Sequence, residues 1–184
     1  MRFVIETMGQ LARSPVAWIV CLVALQRLAE LILANANTKR LLALGGREVG
    51  RDHYPLMVFL HASWLIAVVA TTPLDTWPNW WLIGVFLMLQ VLRVWVIATL
   101  GTYWTTRIIT LDNAPLVSGG PFRFVRHPNY WIVAGEIAIL PLAFGNWGIA
   151  LIWSILNALL LRHRIAVESA AIAPRRSSGA GREA

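Results

Sequence analysis

Apolar residues in this chain neither alternate nor keep to one narrow helical stripe. They come in long runs separated by short polar connectors. Residues 15–33 (PVAWIVCLVALQRLAELIL), 55–72 and 80–100 form three such runs. At 1.5 Å per residue each is long enough to cross a hydrocarbon layer of about 30 Å. Two shorter apolar segments, 129–144 and 147–161, are joined by Gly145-Asn146 and predict a tight helical hairpin. The connector between residues 101 and 128 is too long for a simple turn, and its Tyr, Trp, Ile and Phe content argues for order. The pattern predicts an all-α integral membrane protein with about five transmembrane helices, a C-terminal helical hairpin and a cytoplasmic re-entrant connector. A single domain would cover residues 1–173, and a tail at 174–184 (PRRSSGAGREA) would lack fixed structure.

Composition strengthens this reading. Of 184 residues, 58% are hydrophobic and only 14% charged, and the mean hydropathy is +0.62. A soluble domain carries about 25% charged residues. Residues 1–14 lack a small-residue cleavage site after a short apolar core, so no removable signal peptide is expected. Cys21 is alone, which excludes an internal disulfide and a cysteine metal site. His53 and His61 have no accompanying third ligand, so no metal is expected. The net charge of +7 comes from arginines scattered between apolar runs and forms no nucleic-acid patch. Membrane lipid headgroups are the better partner. Basic residues gather in the first connector (Lys39, Arg40, Arg47, Arg51), in the 101–128 connector and in the tail, while the 73–79 turn and the Gly145-Asn146 turn have none. With five spans this puts the N-terminus outside and the basic connectors in the cytoplasm, as expected in a bacterial inner membrane.

The polar chemistry collects on that basic side. Pro128 suits a helix's first turn, whose free N–H groups and positive dipole end favour an anion. His127, Tyr130 and Ala134 then fall on one stripe, and Asn129, Val133 and Glu136 on its neighbour. Together they can line a polar pocket. A carboxylate at the depth of Glu136 requires a partner or a function; Gln26, Arg27 and Glu30 in the first run likewise have to face protein or the interface. Arg164 and Glu168, four apart on a helix, form either a surface ion pair or an arginine fork that holds a substrate oxyanion. Gly119-Gly120-Pro121 permits a backbone that turns close to a ligand, but the run is neither a P-loop nor a dinucleotide fingerprint.

The run GPFRFVRHPNY, the buried Glu136 and the R-x-x-x-E of Arg164 and Glu168 resemble the isoprenylcysteine carboxyl methyltransferase family of integral-membrane enzymes. RLAELILANANTKRLLALGGREVGRDHYPLMVFLH resembles its bacterial branch, which includes alkylpyrone and alkylresorcinol O-methyltransferases. Ile132 at the position of a family glycine, and Glu168-Ser169 in place of an acidic pair, fit that branch better than a prenylcysteine enzyme. The resemblance implies S-adenosyl-L-methionine bound between the connector and the last two helices, with a lipid-like acceptor arriving from the bilayer. Arg126, His127, Pro128 and Tyr130 match the cofactor motif; backbone N–H groups around Gly119, Gly120 and Pro121 would assist, and Glu136 would contact the cofactor or anchor the connector. Arg164 and Glu168 match the catalytic end. A membrane NADPH reductase of related architecture, a phospholipid N-methyltransferase and a non-catalytic scaffold are the competing classes.

Overall fold

The computed structural model describes residues 9–111, 114 and 117–180. Helix α1 (Pro15–Ala43) begins where the Ser14 hydroxyl accepts the Ala17 N–H and Pro15 occupies the first turn. Expected to end near residue 33, it continues to Ala43. The segment ANANTKRLLA contains neither proline nor glycine, and Asn37, Thr38 and Leu41 are buried beneath the connectors. Helices α2 (Tyr54–Thr71) and α3 (Trp80–Leu100) fall within a residue of the expected spans. The Asn79 side chain caps α3 by accepting from the Trp81 and Leu82 N–H groups.

Helices α4 (Pro128–Ala143) and α5 (Trp147–Ala180) form the expected hairpin. Asn146 fastens its turn: the side chain accepts from Ile149 N–H and donates to the hydroxyls of Thr71 and Thr72 at the end of α2. Helix α5 stays helical to Ala180, across most of the tail expected to lack structure; residues 1–8 and 181–184 lie outside the described residues.

Among the described residues four helices, α1, α2, α3 and α5, are long and apolar enough to cross a membrane. The fifth expected span, α4, has 16 residues and is only about 24 Å long. It sits inside the bundle between α3 and α5, with Ile132, Val133, Ile137 and Leu140 buried. The outward faces are apolar, with Leu22, Phe59, Ile66, Val91 and Leu159 all exposed. Trp77, Trp80, Trp81 and Trp147 are exposed around the hairpin-turn end, where an interfacial aromatic belt belongs. The protein is an all-α integral membrane protein.

At the opposite end the two long connectors are stitched together. Strand β1 (Arg47–Val49) pairs antiparallel with β2 (Ile108–Thr110), with Glu48 opposite Ile109. Strands of three residues leave no periodic trace in a sequence, and this pair was not expected. Arg107 reaches Glu48 at 2.9 Å and lies over the Tyr54 ring at 4.4 Å. Asn37 donates to the carbonyls of Gly101 and Trp104, so the extended end of α1 holds the start of the second connector.

Gly120 has φ +56, and a Cβ there would stand 2.6 Å from Thr99 Oγ1. The Gly119-Gly120-Pro121 turn is therefore a close approach of the connector to α3. Gly120→Ala is expected to cost about 1–2 kcal/mol from the left-handed backbone, seen as a lower melting temperature.

Candidate active site

Two cavities meet at the end of the bundle where the connectors lie. The first is polar, about 190 Å³, and is enclosed by the 101–128 connector, the start of α4 and the exit of α5. Aromatic side chains (Tyr103, Trp104, Phe122) and the β2 segment form one wall. Arg126, His127, Asn129 and Glu168 supply the polar groups. The His127 and Tyr130 rings stack, with centroids 5.4 Å apart, because positions three apart share a helix face. Glu168 accepts a hydrogen bond from the Tyr130 hydroxyl and stands 3.8 Å from His127 Nδ1.

The second cavity, about 310 Å³, descends into the bundle between α1, α2 and α5. Leu28, Leu31, Val58, Leu65, Val133 and Leu160 make it mainly apolar. Trp104, Thr105, Asn129, Tyr130 and Arg164 border both cavities. Arg164 is the centre of this shared wall. It is 6% exposed. Its Nε donates to the Tyr130 hydroxyl at 2.9 Å, one terminal nitrogen donates to the Thr106 carbonyl at 2.7 Å, and the other donates to Met57 Sδ at 3.2 Å. Four chain segments thus fix one guanidinium, through α2, the connector, α4 and α5. The Oδ1 of Asn129 is buried at the same wall with no hydrogen-bond partner among the described residues.

The isoprenylcysteine carboxyl methyltransferase family matches residues 82–174, from α3 through the exit of α5. The chain belongs to this family. Its members are membrane methyltransferases that use S-adenosylmethionine. The chain is also 33% identical to the uncharacterized protein YpbQ of Bacillus subtilis (strain 168) over 158 residues, 84% of this chain and 94% of that protein. No solved structure matches.

In this isoprenylcysteine carboxyl methyltransferase homologue the expected site residues separate into three groups. Arg126, His127, Tyr130, Arg164 and Glu168 come together around the polar cavity. Arg164 and Glu168 meet through the Tyr130 hydroxyl, which lies between them. Gly119, Gly120 and Pro121 border neither cavity, and the nearest side chain to Gly120 is Thr99 of α3. Glu136 also lies outside both linings. It is 1% exposed and is bound to Arg27 at 2.7 Å and Arg93 at 3.0 Å, so its partners are two arginines inside the bundle.

Sequence reasoning passed over Arg93 and Gln90. Arg93 also binds Glu30 at 2.8 Å, Gln90 donates to Glu136, and Gln26 donates to both Glu30 and Gln90. Two arginines and two glutamates cancel in charge and clamp α1, α3 and α4 together. The available signal was Q-x-x-R in an otherwise apolar α3, answering Q-R-x-x-E in α1.

Proposed function

We propose that the protein is an S-adenosylmethionine-dependent O-methyltransferase whose acceptor is an acidic oxygen, a carboxylate or an acidic hydroxyl, at the head of a lipid-like molecule. The observation that carries this reading is the shared wall: a polar cavity and a mainly apolar one meet along Trp104, Thr105, Asn129, Tyr130 and Arg164, with the Arg164 guanidinium bonded to the Tyr130 hydroxyl. The polar residues suit the cofactor. Arg126 is exposed and makes no ion pair among the described residues, so it is free to take a carboxylate. The unpartnered Asn129 Oδ1 needs a donor such as an amino group. Tyr103, Trp104 and Phe122 offer flat surfaces for a base. When bound, S-adenosylmethionine supplies an electrophilic methyl group on a sulfonium centre.

The chain's own residues do the remaining work of alignment and water exclusion. Arg164 keeps further N–H groups for an oxyanion, and the thioether of Met57 is the weakest of its three acceptors and the easiest to replace. The Tyr130 proton is committed to Glu168, so the phenol oxygen faces Arg164 as an acceptor. None of Trp104, Thr105, Asn129, Tyr130 and Arg164 is a general base. That favours an acceptor that arrives already ionised. A buried guanidinium beside it also disfavours an ammonium group, which argues for oxygen over nitrogen. The basic connectors favour a cytoplasmic orientation of the polar cavity.

The test uses the purified protein in lipid nanodiscs. S-adenosylhomocysteine should raise the melting temperature, by the equivalent of about 2.7 kcal/mol at a hundred times its dissociation constant, and NADPH should not. Radiolabelled methyl groups should pass to long-chain carboxylic acids or acidic alkyl-substituted enols. Stabilisation by NADPH alone, or label found on amine headgroups only, would overturn the reading.

A further inference from the structure

Three polar side chains on three different helices, Asn157, Arg27 and His61, line the mainly apolar cavity. Asn157, on α5, is 2% exposed, borders the cavity, and its Oδ1 has no hydrogen-bond partner among the described residues. Arg27 lines the cavity from α1, and although its two terminal nitrogens serve Glu30 and Glu136, its Nε is buried with no partner among the described residues. His61 lines it from α2 with Nδ1 engaged by the Met57 carbonyl, which leaves Nε2 open. An unpaired buried acceptor and an unpaired buried donor at the edge of a mainly apolar chamber are costly, and each calls for a binding partner.

Their depth is set by the helix. Asn157 and Arg164 are seven residues apart on α5, close to two turns, so they share a face and are separated by about 10 Å. Resting on the acceptor reading above, we infer that this cluster is a second recognition subsite, selecting acceptors with a hydroxyl in the chain about 10 Å from the reacting oxygen. A hydroxyl is the matching group because it both donates and accepts. Its O–H serves Asn157 Oδ1 while its oxygen receives the Arg27 Nε–H. A keto group serves only the arginine and leaves the asparagine oxygen orphaned; a methylene serves neither. Discrimination of this kind is strong because a polar site rejects the analogue that lacks the bonding group.

The test compares binding of a long-chain fatty acid hydroxylated mid-chain with its unsubstituted parent and its mid-chain keto analogue, by displacement of a fluorescent fatty acid from the protein in nanodiscs. The hydroxy acid should bind about tenfold tighter than the parent, with the keto acid in between. Asn157→Leu should erase or reverse that preference, its folding being checked by the thermal shift with S-adenosylhomocysteine. Equal binding of hydroxy acid and parent by the unaltered protein, or a preference that survives Asn157→Leu, overturns the subsite alone. If none of the three acids displaces the probe while S-adenosylhomocysteine still binds, the acidic-lipid acceptor itself is wrong, and the subsite falls with it.

Discussion

Arg164→Lys is expected to lower kcat/KM for methyl transfer by about 10²–10³-fold while S-adenosylhomocysteine still stabilises the protein. The charge is kept, so the loss would come from geometry. Arginine's planar fork reaches the Tyr130 hydroxyl, the Thr106 carbonyl and Met57 Sδ from one rigid group, and it retains donors for an incoming oxyanion. A lysine ammonium has three donors and a compact head. It can hold the connector or face the acceptor, but not both with the same alignment. The residue is buried and borders both cavities, so water cannot substitute at low cost. A lysine variant with near-normal kcat/KM would show that the guanidinium only braces the connector and that acceptor alignment lies elsewhere.

How much of this could be read from the sequence depended on whether a signal was local. Helices α2 and α3 were legible to a residue because apolar runs end at Pro55, Asn79 and Gly101, each acting on its own neighbours. Pro128 marked α4 in the same way. The extension of α1 to Ala43 was not legible, because what holds it is Asn37 bonding to backbone carbonyls 64 and 67 positions away. Likewise the Arg164–Glu168 spacing was visible, but not that a tyrosine from another helix would stand between them. Gly120 shows the limit most clearly. A glycine announces that a close approach is permitted, and only the fold reveals that the approaching group is Thr99. The cost of burying Glu136 was foreseeable from hydropathy; its partners were not, because Arg93 sits in a run so apolar that one cation does not alter the span.

That cation should carry the largest stability effect in the chain. Arg93→Met is expected to destabilise the folded protein by about 3–5 kcal/mol, measured by reversible unfolding in mixed micelles. Arg93 is 6% exposed and bridges Glu30 on α1 to Glu136 on α4. Its removal leaves two buried carboxylates against Arg27 alone, one negative charge in excess. Methionine fills much of the arginine stem's volume, so cavity formation would contribute little and the deficit would be mainly electrostatic. Adding Glu136→Gln to that variant restores neutrality, with Arg27 and Glu30 still paired at 2.9 Å, and should recover at least half of the loss. A double variant no more stable than Arg93→Met would mean that hydrogen bonding to Glu136, not charge balance, holds α4 between its neighbours. Because Tyr130 lies on that same helix, about two turns from Glu136, every loosening of this clamp should also spread the reaction centre. The partly rescued double variant should therefore regain activity in step with stability.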